Sequence, residues 1–144
     1  MAYIVRSTEK LRKSCAEAET KALLYLMNFR SDSDEIYYFV VDFFNDLTGM
    51  DRFGTKLWDL QSKNTSNVGP KEIGKELVTL FKNYMSELEF NSYILFIGSV
   101  SNVVRINQQK DTFNISNVRS DAISLIKLGL VEEGRKKHTL IRNG

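Results

Sequence analysis

Two short strings, Gly49-Met50-Asp51 and Gln61-Ser62-Lys63, hold the residue types and spacing with the clearest chemical content in this sequence. If a strand ends at Asp51 and the next projects Gln61 and Lys63, a carboxylate, an amide oxygen and an ammonium converge at one sheet edge. Alternate strand residues share a face at a spacing of roughly 7 Å. Such a set suits metal-assisted phosphodiester hydrolysis. A hard cation, Mg²⁺ or Mn²⁺, takes oxygen ligands from Asp51 and the Gln61 side chain, keeps some waters and bridges to a phosphate oxygen. Lys63 then orients the attacking water or offsets the charge that grows in the transition state.

The elements that must position these groups follow from periodicity. Leu11, Cys15, Ala18, Ala22, Leu26 and Phe29 recur at three- and four-residue spacing and predict a helix from about Ser7 to Phe29, capped by Ser7 or Thr8. The β-branched and aromatic run from Ile36 to Phe44 reads as a strand buried on both faces. Asn45 to Gly49 has turn chemistry, which places a second strand at about Met50 to Phe53. Gly54-Thr55 makes another tight connection into Lys56 to Lys63, where period two puts Asp59, Gln61 and Lys63 on one face. Pro70 suits the first position of a helix whose apolar stripe is Ile73, Leu77, Leu80, Phe81, Tyr84 and Leu88. Tyr93 to Ile97 lacks polar alternation, as expected of an interior strand that runs parallel to its neighbour after a helical crossover. Val118, Ala122, Leu125 and Ile126 predict a C-terminal helix closed by Gly129, followed by a hairpin turning at Gly134 or a basic tail. The expected fold is α/β, a mixed sheet flanked by helices in the order αβββαβ, with an extra C-terminal helix.

In that order and in Gly49, Asp51, Gln61 and Lys63, the stretch from Ser7 to about Gly98 resembles the PD-(D/E)xK nuclease superfamily. It looks most like the QxK branch, which includes Mrr-like restriction enzymes and the DNA endonuclease effectors of bacterial cyclic-oligonucleotide defence systems. The resemblance implies a restriction-endonuclease-like fold and metal-dependent cleavage of double-stranded DNA, and the single cysteine, Cys15, suits a cytoplasmic chain. The resemblance also implies that Asp51 and Gln61 hold the metal, that Lys63 assists the nucleophile, and that an acid of the first helix completes the site. For that acid Glu19 is preferred to Glu17, because Glu19 lies at the margin of the apolar stripe while Glu17 points away from it. The sequence departs from the parent pattern in lacking Pro before Asp51 and in carrying Gln61 where an acid is commoner. It also implies a homo-oligomer that cuts both strands, or an effector joined to a sensor domain or partner protein. Residues 1–144 are expected to form one nuclease-like domain, with a core at 7–98 and an extension at 99–144.

Rival readings attach to the same residues. Asp42, inside an apolar strand, is the competing metal acid, because an unpaired carboxylate there would be costly. Asp59 shares a face with Gln61 and is an alternative acid, although a solvated strand residue is the plainer reading. Gly69 to Lys75 imitates a phosphate loop but fails at Glu76, which has no hydroxyl to offer Mg²⁺. Ile123 to Leu130, followed by Val131 to Gly134 and Lys136 to Ile141, imitates a recognition helix and wing without the two helices that precede one. The rival functional class is a catalytically inactive nuclease-fold module that binds nucleic acid or protein.

Composition limits the remaining options. The 144 residues carry 20 Lys and Arg against 18 Asp and Glu, too even a balance to reveal a nucleic-acid partner by net charge alone. Residues 31–63, however, hold seven acids and three bases, while both flanks are net positive. That division suits a cation-holding centre with phosphate-facing margins at Lys71, Lys75, Lys82 and the C-terminal cluster. One cysteine, Cys15, excludes a disulfide framework, and one histidine, His138, excludes paired-His metal motifs. No apolar run is long enough to span a membrane.

Overall fold

A computed structural model of the chain describes the backbone of residues 13–142 and the side chains of 16–136. The cap at Ser7 or Thr8, the side chain of Cys15 and the basic tail beyond Lys136 lie outside these described residues. Helix α1 (Lys13–Asn28) buries Ala18, Ala22 and Leu26 at four-residue spacing, so a single stripe faces the sheet. The sheet has four strands, β1 (Tyr38–Val41), β2 (Leu47–Met50), β3 (Leu57–Lys63) and β4 (Ser92–Ile97), in the spatial order β1-β2-β3-β4. Within the first three, each strand is antiparallel to its neighbour. Strand β4 lies parallel to β3 and is reached through helices α2 (Pro70–Glu76) and α3 (Val78–Tyr84). Helix α4 (Ser120–Arg142) follows a long irregular connection. This is the restriction-endonuclease-like arrangement, an open mixed sheet between helices with an added C-terminal helix.

Strand β3 organises the two faces. Trp58 and Leu60 pack with Ala22 and Leu26 of α1 and with Leu47 of β2. The intervening Asp59, Gln61 and Lys63 turn to the other face, where they meet Asn83, Thr79 and Glu76 of the α2–α3 layer. The C-terminal end of α1 is tied down by polar contacts. Asp32 receives Arg30 through Nε and Nη2 at 2.7 and 3.0 Å and the Trp58 indole N–H at 2.9 Å, while Arg30 also donates to Ser92 Oγ at 3.0 Å. Arg30 and Asp32 together thus link the segment after α1 to β3 and β4.

Several elements differ from the sequence expectations. Strand β1 is an edge strand of four residues, with Tyr38 54% and Val41 57% exposed, so its apolar run does not signify burial on both faces. Strand β4 is the opposite edge and only half-buried, covered on its faces but paired along one side. The first hairpin turns at Asp42 to Asp46, with the Asp42 amide donating to the Asp46 carbonyl, so β2 begins at Leu47 rather than near Met50. The helix expected to run to Leu88 breaks at Leu77 into α2 and α3. Gly129 does not end a helix, and no hairpin forms at Gly134, because α4 runs through both. The reason lies in packing: a Cβ on Gly129 would stand 2.0 Å from the Lys71 carbonyl oxygen, and one on Gly74 would stand 2.0 Å from that of Ile126. Each glycine lets α2 and α4 approach backbone to backbone.

Candidate metal centre at the end of the sheet

The connection from Asp42 to Asp46 joins the C-terminal end of β1 to the N-terminal end of β2 and carries an acid at each end. Asp42 adopts a left-handed backbone with φ 55°, uncommon outside glycine and most tolerated by Asn and Asp. Asp46 precedes Leu47, and because Leu47 pairs with Leu60 the ladder carries Asp46 alongside Gln61. Its Oδ2 accepts from the Ser62 amide at 2.8 Å and from the Ser62 hydroxyl at 3.0 Å. Glu19 reaches the same place from α1. One carboxylate oxygen from each of Glu19, Asp42 and Asp46 lies within 4.8 Å of the others. Burial raises the pKa of Glu19, and the charges of Asp46 and Asp42 raise it further. Glu17, on the same helix, is exposed.

The donor set fits a hard divalent cation. It offers carboxylate oxygens spaced closely enough for one ion to span, and the burial and mutual repulsion that raise the Glu19 pKa are what a cation would offset. Among the described residues this is the one such group of acids.

The structure does not bring Asp51 to Gln61 and Lys63, contrary to the sequence expectation. Asp51 sits past the other end of β2, where its amide donates to the Lys56 carbonyl at 3.1 Å. Lys56 and Gln61 are five positions apart along the strand, roughly 17 Å at ~3.3 Å per residue. The Asp51 carboxylate accepts from the Thr55 amide at 2.7 Å, the Thr55 hydroxyl at 2.6 Å and the Lys56 amide at 3.0 Å. These donors, the Lys56 amide foremost, hold its pKa below the usual carboxylate value. It anchors the tight turn around Gly54, which has φ 69°.

Gln61 and Lys63 do share a face, as period two requires, but that face belongs to the α2–α3 layer. Gln61 Oε1 has a long contact of 3.5 Å with the Thr79 hydroxyl, and Lys63 Nζ pairs with Glu76 Oε1 at 3.2 Å. Glu76, the residue that spoils the phosphate-loop imitation, is thus a partner of Lys63. Asp59, on the same face, is fully buried and accepts from the Asn45 and Asn83 amides. Burial raises its pKa against the opposing pull of those donors. The acids and the Gln61–Lys63 pair therefore approach one end of the sheet from its two faces, with Asp46 and Ser62 between them. Of the lysines at the margins, Lys71 pairs with Glu132 at 2.9 Å and Lys75 with Glu72 at 3.7 Å.

Sequence reasoning passed over Asp46, whose surroundings have the composition of a turn. A signal for it was present. A hairpin closing at Gly54 pairs residues symmetric about that turn, which sets Asp46 beside Gln61 and Asp51 beside Lys56.

No protein-family model matches the chain, and no curated protein or solved structure matches it. Among the described residues no helix is long and apolar enough to cross a membrane.

Proposed function

We propose that the chain is a metal-dependent endonuclease of the PD-(D/E)xK type, QxK branch, hydrolysing phosphodiester bonds in double-stranded DNA. The observation that carries this reading is the meeting of Glu19, Asp42 and Asp46 within 4.8 Å beside the strand that bears Gln61 and Lys63. Glu19, Asp42 and Asp46 would hold Mg²⁺ or Mn²⁺, and Gln61, now in long contact with Thr79 on the α2–α3 face, would be a further oxygen donor only if it left that contact. Asp46 takes the strand position first given to Asp51, which stands outside the set. A bound divalent ion supplies a charge that polarises the phosphate and lowers the pKa of a ligated water. Lys63, the last residue of β3 and half-exposed on a long flexible stem, would orient the attacking water or meet charge on the phosphate once released from Glu76.

In this reading residues 7–98 are the nuclease-like core of one domain and 99–144 its extension. The chain acts in the cytoplasm as a homo-oligomer or with a sensor domain or partner protein, as a bacterial defence effector would. A second reading, a nuclease-fold module without catalysis, is favoured by the Lys63–Glu76 pair, which occupies the ammonium away from the acids. Plasmid cleavage in Mg²⁺ or Mn²⁺ separates the two. Wild type nicks DNA, Asp46→Asn and Lys63→Ala lose at least about 100-fold of that activity, and Asp51→Ala retains it where folded. Equal nicking by wild type, Asp46→Asn and Lys63→Ala removes the hydrolase reading, and no cleavage by any of them leaves the module.

A further inference from the structure

We propose that Asp59 and Asn83 are positioning residues that clamp the Asp42–Asp46 connection through Asn45, and so hold two acids of the metal centre in register. The inference rests on the metal-binding reading of Glu19, Asp42 and Asp46 and adds the residues that shape the site from the opposite face of the sheet.

Asp59 is fully buried on the face of β3 opposite its fully buried neighbours Trp58 and Leu60. Its carboxylate accepts from Asn45 Nδ2 at 3.1 and 3.3 Å and from Asn83 Nδ2 at 2.8 Å. Asn83 Nδ2 also reaches the Phe44 carbonyl at 3.5 Å. The connection is thus held at two consecutive residues, Phe44 and Asn45, that lie between the acids. The connection starts at Asp42, whose backbone is left-handed at φ 55°. Asp46 is fixed from one side by Ser62 and, through the adjacent Asn45, from the other by Asp59. Releasing the Asn45 amide frees the connection to relax and the carboxylates to move apart. Outer partners of this kind typically alter metal affinity about 10- to 100-fold when removed.

The test is Mn²⁺ affinity by titration calorimetry on the full chain, at a temperature where every variant is folded. Wild type binds, Asp46→Asn does not, and Asn45→Ala and Asp59→Asn each bind about 10- to 100-fold more weakly. Thr55→Ala, which loosens the distant Asp51 turn, is the stability control and keeps wild-type affinity. If Asn45→Ala binds as tightly as wild type, the clamp is overturned while the metal centre stands. A Thr55→Ala variant weakened as much as Asn45→Ala also overturns the clamp, since general loosening would then account for the loss. If wild type does not bind Mn²⁺, the metal centre and the clamp fall together.

Discussion

Asp32, Asp51 and Asp46 are ordinary carboxylates by type, yet their surroundings give them different work. Asp32 receives the Arg30 guanidinium and the Trp58 indole, and the Arg30 hydrogen bonds foremost hold its pKa at about 2 against the ordinary 3.8. The folded state therefore favours its ionised form. The stability this contributes is fully present above about pH 4 and is lost as pH falls toward 2. Its size is at most about 2 kcal/mol before solvent screening reduces it. Asp51 behaves with the same sign. The expected outcome is that urea midpoints measured across this range fall steeply for wild type, and that Asp32→Asn is less stable at neutral pH with a shallower acid limb. At this scale the sequence was legible where period decides: Asp59, Gln61 and Lys63 share a face, and Glu19 rather than Glu17 turns inward. It was not legible where local context misleads, since Gly49-Met50-Asp51 carries a catalytic-looking string at the wrong end of its strand.

Among the elements, the order of helices and strands could be read from apolar periodicity, but the first turn could not be placed. Both Asp42–Asp46 and Asn45–Gly49 are rich in turn formers. What selects the first is tertiary: Leu47 pairs with Leu60 over Ala22 and Leu26, so β2 must start there to fill the core. The shift moves Asp46 into the site and Asp51 out of it. The α2–α4 crossing was hidden for a similar reason, because glycine in a helix reads as a cap until a neighbouring backbone is seen against it. Gly74→Ala and Gly129→Ala test the crossing. Alanine offers up to ~1 kcal/mol of helix propensity. That gain is opposed by Cβ atoms 2.0 Å from the Ile126 and Lys71 carbonyl oxygens, neither of which belongs to a flexible side chain. Overpacking of this kind costs roughly 1–3 kcal/mol, sometimes more. Each substitution is expected to lower the urea midpoint, with a net destabilisation equal to that cost less the propensity gain, about 2 kcal/mol or more where the carbonyls cannot move. Gly134→Ala, with nothing within 4 Å of its added Cβ, should leave it unchanged or raised.

For the molecule as a whole, the three acids at the sheet end set metal-free stability against the cation binding proposed for them. Without a cation, Glu19 carries the cost of burial and of the neighbouring Asp46 and Asp42 charges, which is why its pKa is raised. A carboxylate with a raised folded pKa favours the folded state more as it takes up a proton, so the metal-free chain gains stability as pH falls through that value. Glu19→Gln removes the charge and should raise the metal-free melting temperature at neutral pH while flattening this gain. A cation acts with the opposite dependence. Bound to the folded state alone, it stabilises by about 2.7 kcal/mol at 100 times its Kd, and protonation of its ligands weakens it as pH falls. Thermal melts of wild type with and without Mn²⁺ should therefore diverge as pH rises, whereas those of Glu19→Gln should lie closer together at every pH. A Glu19→Gln variant that melts below wild type without metal and responds to Mn²⁺ as strongly would mean that the three carboxylates do not act as one centre. The acids would then be separate surface charges, and the end of the sheet would have no cation to bring to a phosphate.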